Sequence, residues 1–186
     1  MVAAARRSGA GTSVVHGGVF TLRPTARLMT RLKPPLSPSP PPSTTRLGDW
    51  YANIVYVGRL QLVLAISDRT LLPVVVTAAP MSTLVARLRT GVGDVLRKLE
   101  IAEADIAKEL AEMNDVIYAK TADRQVTGVL VELARMLPFY FEDGGSSLLE
   151  AARWLARTPC SPLYPREGSP DRATAAAFAA KPAPTL

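Results

Sequence analysis

Two short blocks hold the side chains best suited to chemistry. One is Asp49-Trp50-Tyr51-Ala52-Asn53 and the other is Lys120-Thr121-Ala122-Asp123-Arg124. In the first, a carboxylate and an amide stand beside two aromatic rings. In the second, two cations flank a hydroxyl and a carboxylate. Such a set can hold a phosphate or a carboxylate through charge-assisted hydrogen bonds. The same residues can equally form a loop with an internal Asp–Arg or Lys–Asp pair, and Asp49 has a plain use in the turn after Gly48. Arg69, in the polar break Ser67-Asp68-Arg69-Thr70, is a further candidate cation. The candidate binding set is therefore Asp49, Trp50, Tyr51, Asn53, Arg69, Lys120, Thr121 and Arg124, with no residue nominated as catalytic.

Composition closes off other chemistries. The chain has one histidine, His16, and one cysteine, Cys160. An intrachain disulfide is impossible, and a zinc site of Cys and His ligands is excluded. A Ser-His-Asp or Cys-His arrangement has only His16 to use, in a segment that reads as flexible. Gly91-Val92-Gly93 lacks both the third glycine and the Gly-Lys-Ser/Thr ending of phosphate-binding loops, so it points to close packing. Gly144-Gly145-Ser146-Ser147 offers N–H groups at a helix start, where an anion can bind, although such starts usually serve as caps. Glu103, Asp105, Glu109 and Glu112 have the spacing of a solvated helix face. No metal and no cofactor is expected.

The net charge of +6 is unevenly placed. Residues 1–43 carry six Lys/Arg and no acid, residues 44–156 carry twelve against fourteen acids, and residues 157–186 carry four against two. A nucleic-acid-binding domain concentrates positive charge on its folded face, whereas here the excess sits at the ends. No apolar run approaches the roughly 18–20 residues that cross a bilayer. The basic start lacks the continuous apolar segment of a secretory signal. Its acid-free composition resembles that of an organellar transit peptide, but an Ala/Arg/Pro-rich extended start is the preferred reading. The expectation is a cytoplasmic protein without membrane contact.

The elements that must position the two blocks follow from patterning. Residues 1–17 read as a disordered basic leader. Gly18–Leu22 is a short β-type run, and Pro24 suits the first turn of a following helix with Leu28, Met29 and Leu32 on one face. Residues 33–43 form a Pro-rich linker of extended conformation, a spacer or a ligand for SH3-like domains. Three β-rich runs come next, Asp49–Val57, Leu60–Ile66 and Leu71–Val76, broken by Gly58-Arg59 and Asp68-Arg69-Thr70. They predict an antiparallel meander. Leu60–Ile66 has apolar residues on both faces and reads as central, while Pro73 marks the third run as an edge. Pro80–Leu99 is helical, with Gly91 and Gly93 marking either close packing or a break. Glu103–Met113 is a second helix with Ile106, Leu110 and Met113 inward and Glu103, Lys108, Glu109 and Glu112 in water. Val116–Tyr118 is a short strand or a buried connection. A helix from Asp123 is kinked or stopped by Pro138. Ser147 and Glu150 form a capping box for a last helix over Leu148–Arg157. From residue 161 a Pro/Ala-rich tail reads as disordered, with Ala173–Lys181 transiently helical. The sum is an α+β domain over residues 18–160: a small antiparallel meander of three to four strands packed with four to five helices.

Ser43 to Asn53, Ser67 to Pro73, and Ala119 to Gly128 resemble an uncharacterised bacterial family, a domain of unknown function. The resemblance covers Val19 to Cys160 and implies that residues 1–17 lie outside the domain. Where the family continues its second block with Ser, Met, Asn and Asp, this chain has Val129, Leu130, Val131 and Glu132. The family brings no reaction, ligand or partner with it.

Three functions are weighed. The leading expectation is a small non-catalytic binding or regulatory module acting on a protein partner. The second is weak, salt-dependent nucleic-acid contact through the basic N-terminal segment, assisted by Lys120 and Arg124. The third is a metal-independent enzyme using Asp49, Tyr51 and Arg124, which requires the two blocks to converge on one pocket.

Overall fold

Apolar residues on both faces make Leu60–Ser67 suitable for the middle of a sheet, and it pairs on both sides. In the computed structural model, which describes residues 18–180, this strand is β3. It pairs antiparallel with β2 (Trp50–Val57) and with β4 (Pro73–Thr77). Leu62, Val63, Leu64, Ala65 and Ile66 are all buried. Gly58, at positive φ, makes the tight turn between β2 and β3. Pro73 opens β4, which is an edge strand because proline offers no N–H to a second neighbour. The meander thus forms, with β4 beginning two residues later than the sequence suggests. Leu71 belongs to the turn, at φ 57°.

Two further strands change the character of the sheet. β1 (Val19–Pro24) runs parallel to β2, and β5 (Asp115–Tyr118) runs parallel to β1. The order is β4-β3-β2-β1-β5, five strands among the described residues in a mixed sheet, rather than three to four in a purely antiparallel one. Parallel neighbours need a crossover. For β1 and β2 the crossover is α1 (Ala26–Leu32) and the extended Pro-rich segment after it. That segment is docked on the domain: Ser37 N–H donates to the Tyr118 carbonyl at 2.8 Å, and Thr44 N–H to the Val19 carbonyl at 3.1 Å.

Among the described residues there are six helices where four to five were expected: α1, α2 (Leu84–Lys98), α3 (Glu103–Glu112), α4 (Arg124–Glu142), α5 (Leu148–Ala156) and α6 (Pro170–Ala179). Strand residues alternate faces. Trp50, Ala52 and Ile54 share one face with Val74 and Val76, and Tyr51 and Asn53 share the other with Val75. α2 lies on the first face. Its Gly91 is there for closeness, since a Cβ would press on the Val74 and Val76 side chains, and at Gly93 it would crowd Leu110 of α3. Leu84, Leu88, Val92, Val95 and Leu96 are buried along α2. Fully burying each such side chain contributes about 1.5–3 kcal/mol. α4 lies over β2 and β3, and α5 packs on β4 beside α4. α4 continues through Pro138, because Leu133 and Leu137 before it and Tyr140 and Phe141 after it are all packed on the core.

The segment expected to be a tail from residue 161 is part of the fold up to residue 180. Pro170 sits in the first turn of α6, where its missing N–H costs nothing. Thr174 and Phe178, one turn apart, face inward. The Thr174 hydroxyl bonds to that of Thr70 at 3.0 Å, and the Arg46 guanidinium lies 4.9 Å over the Phe178 ring. The expected leader 1–17 and residues 181–186 lie outside the described residues.

Candidate functional site

The two blocks meet beside the end of β1, and Arg23 joins them. Arg23 is on β1, next to Tyr51 in the parallel register. Its Nε donates to Asp49 Oδ2 at 2.7 Å, and its Nη1 donates to the Lys120 carbonyl at 2.7 Å. The guanidinium carbon lies 5.9 Å from the Tyr51 ring centroid. Arg23 and Asp49 side chains are each 14% exposed, so this is a sheltered pair rather than a solvated one. Tyr51 makes the second link: its hydroxyl oxygen accepts the Asp123 N–H at 3.0 Å. Asp123 in turn caps α4, its Oδ1 accepting from Gln125 N–H at 2.7 Å and Val126 N–H at 3.1 Å.

Asp49 is held from several sides. The Ser43 hydroxyl donates to its Oδ1. Its N–H donates to Asp68 Oδ1 at 3.0 Å, and its carbonyl accepts the Asp68 N–H at 2.8 Å. Gly48, at φ 82°, permits this approach, because any Cβ there would collide with the Asp68 carboxylate. Burial first, and the Asp49 charge second, push the Asp68 pKa up to about 6. The cation beside Asp49 is thus Arg23 and not Arg124.

The other expected site residues have separate places. Trp50 is fully buried on the opposite face, and its indole N–H has no partner among the described residues. Asn53 Oδ1 accepts from the Thr25 hydroxyl at 2.7 Å, tying β2 to the start of α1. Arg69 Nη1 donates to the Thr45 carbonyl at 2.9 Å and holds the loop before β2. Lys120, Thr121 and Arg124 are exposed. Lys120 and Thr121 border a cleft of about 530 Å3 with Arg23 and with Leu36, Pro38 and Pro40 of the Pro-rich segment. Thr121 and Arg124 border a second, of about 570 Å3, that continues along α4 past Thr127 and Glu132 to Arg135.

Three residues that matter here were not among the candidates. Arg23 was hidden in a basic, acid-free segment. Asp68 lay in plain sight in the turn block, but only its contact with Asp49 gives it a role. Glu109 was expected in water and is 3% exposed instead. Its two oxygens accept the N–H groups of Arg46 at 2.7 Å and Leu47 at 2.9 Å, which clamps the loop leading to Asp49 onto α3. Burial raises its pKa, and those two N–H bonds pull the other way. The available signal was spacing, since position 109 is one turn from both Ile106 and Met113.

Among the described residues no group of three or more His, Cys, Asp or Glu is placed to hold a metal ion. No helix there is long and apolar enough to cross a membrane. A family model described as a domain of unknown function, DUF6933, matches residues 21–173. Its span runs past Cys160 into α6. No curated protein and no solved structure gives a significant match.

Proposed function

We propose that this chain, which belongs to the DUF6933 family, is a small non-catalytic binding module whose surface around Lys120, Thr121 and Arg124 engages an acidic protein partner. What supports this reading is the division between engaged and open polar groups where the two blocks meet. Arg23, Asp49, Tyr51 and Asp123 spend their hydrogen bonds on one another and on nearby main chain. Lys120, Thr121 and Arg124 stand exposed on that fixed frame, beside apolar Leu36 and Pro38. A surface fixed before contact loses less conformational entropy on binding. General acid–base chemistry asks instead for a titrating group open to substrate, and Asp49 is closed in by Arg23 and Ser43. The reading includes a cytoplasmic location, which the single cysteine favours.

The test is selection of random peptides displayed on phage against the protein, followed by affinity measurements on Lys120→Glu/Arg124→Glu. The expected result is an acidic consensus bound at least tenfold more weakly by the double variant. Absence of a consensus, or equal affinity for both proteins, overturns the reading, as does any steady turnover abolished by Asp49→Asn. A nucleic acid is the competing ligand for the same cations. Single-stranded oligonucleotide binding that falls steeply with salt would identify it.

A further inference from the structure

At the opposite side of the sheet, the outer edge of β4 forms the floor of a slot. Residues 72, 74, 76 and 78 turn their main-chain groups toward β3: Ala78 N–H donates to the Gln61 carbonyl, and Ser67 N–H to the Leu72 carbonyl. In an antiparallel pair this orientation alternates. Pro73, Val75 and Thr77 therefore face away from the sheet. Pro73 has no N–H, and the Thr77 carbonyl already accepts from Arg87 Nε at 3.2 Å and Nη2 at 3.0 Å. Val75 is left with an outward N–H and an outward carbonyl, neither partnered among the described residues, although the residue is only 5% exposed. Buried main-chain groups without partners are rare in folded proteins.

These two groups open into a cavity of about 400 Å3 between α2 and α5, lined mainly by apolar side chains that include Val74, Val76, Leu148 and Leu149. That volume lies in the range of small-ligand pockets. Two charged residues line it, Arg87 and Asp94. Both are on α2, seven residues apart, so they stand about 10.5 Å apart along the helix axis. Arg87 is beside Thr77, and Gly91 is beside Val74 and Val76, so α2 runs back along β4. The positive end of the slot is thus at the C-terminal end of β4 and the negative end near its start. Arg87 donates to the Thr77, Ala78 and Pro80 carbonyls and the Thr83 hydroxyl, all neutral, and no carboxylate balances its charge among the described residues. Asp94 shares Oδ1 with Arg97 at 3.1 Å and has no partner for its other oxygen among the described residues.

We propose that this slot binds a free, apolar tripeptide as a short strand parallel to β4. A parallel neighbour of Val75 offers it the carbonyl of one residue and the N–H of the residue two further on. Three residues are the shortest peptide with both groups. Extended, three residues span roughly 10 Å, which matches the separation of the two charges. The ammonium end meets Asp94, the carboxylate end meets Arg87, and apolar side chains meet the valines and leucines of the walls. Arg87 on the Thr77 carbonyl stops the ladder there and limits the length. Both charges lie within the slot, so the occupant is a free peptide and not the tail of a protein. This site is separate from the surface around Lys120, across the full width of the sheet.

The experiment is titration of the 15N-labelled protein with the tripeptide Ala-Val-Leu, followed by amide spectra and hydrogen exchange. The Val75 amide should shift, and its exchange should slow at least tenfold at saturation. N-acetylated and C-amidated forms should each bind at least tenfold more weakly. Thr90→Trp, which fills the slot from an exposed helix position, should abolish binding while leaving the remainder of the spectrum folded. A Val75 amide that neither shifts nor gains protection overturns the proposal. An acetylated peptide that binds as well as the free one also overturns it, by assigning the slot to protein tails. Should Thr90→Trp disturb the fold, the wild-type Val75 amide still decides.

Discussion

Asp68→Asn separates what the Asp68 side chain does by shape from what it does by charge. Its Oδ1 accepts the Asp49 N–H, and its carboxyl is only partly open to solvent, close to the Asp49 carboxylate. Burial, then the Asp49 charge, raise its pKa from 3.8 to about 6, with Arg69 and Arg23 offsetting part of the rise. The folded chain therefore holds this proton more tightly than the unfolded chain. By linkage, stability falls as pH rises through the interval between those two values, and the cost is complete above it. Taken without screening, a shift of about two units is worth about 3 kcal/mol. Solvent reaches part of the group, so the effective cost is roughly 1–2 kcal/mol. Asparagine keeps the oxygen that accepts the Asp49 N–H, and its amide can face the Asp49 carboxylate as a donor. The variant should therefore be more stable than the parent by roughly 1 kcal/mol at pH 7.5, and the difference should vanish near pH 4. Urea unfolding of both proteins at pH 4, 5, 6 and 7.5 measures this directly. A variant less stable than the parent at pH 7.5, by an amount that does not change with pH, would refute the reasoning.

Three further substitutions probe the frame around the site. Glu109→Ala removes the acceptor of two buried main-chain donors and should cost about 2–4 kcal/mol, while Glu109→Gln, retaining one acceptor, should cost less; thermal unfolding ranks the two, and equal losses would contradict the assigned role. Gly48→Ala places a Cβ at φ 82° against Asp68 and Arg69 and should destabilise by more than about 1 kcal/mol; a neutral result in denaturant titration would show that the turn relaxes freely. Tyr51→Phe leaves the Asp123 N–H without its acceptor and should cost about 0.5–1.5 kcal/mol, with faster hydrogen exchange at the start of α4 and none in β3. Unchanged exchange there would remove the link between the two blocks.

Patterning made the meander legible: β3 is buried on both faces from Leu62 to Ser67, and Pro73 does open an edge strand. Capping chemistry made the start of α5 legible, with Ser147 accepting the Glu150 N–H. The parallel strands were another matter. Gly18–Leu22 is recognisable as β-type, but nothing local says that it lies between β2 and β5, because its partners come after a linker and after two helices. α6 was legible only as transient helix over Ala173–Lys181 in a Pro/Ala-rich composition; its start at Pro170 and its docking through Thr174 and Phe178 were not read. At the site, the side chains of the two blocks were visible. Arg23 was not, since its partners lie 26 and 97 residues away. A solvated and a buried carboxylate look alike in sequence, which is why Glu109 was placed in water.

The position of β1 also dictates an order of events. Pairing β2 with β3 brings together Val57 and Leu60, neighbours across one tight turn. Pairing β1 with β5 brings Val19 to Asp115, and most of the intervening chain must be gathered before that contact returns anything. Loop-closure entropy grows with the length enclosed, and sheets rich in distant pairings assemble slowly for this reason. β1, made before the other four strands of this sheet, is thus among the last to complete its pairing. Until Asp115–Tyr118 arrives, β1 presents a bare edge to every other chain in the vicinity. Pulse-labelled exchange during refolding should protect Val63 before Ala119, whose N–H donates to the Leu22 carbonyl across the β1–β5 pair, and the interval between them is when this protein is most exposed to aggregation.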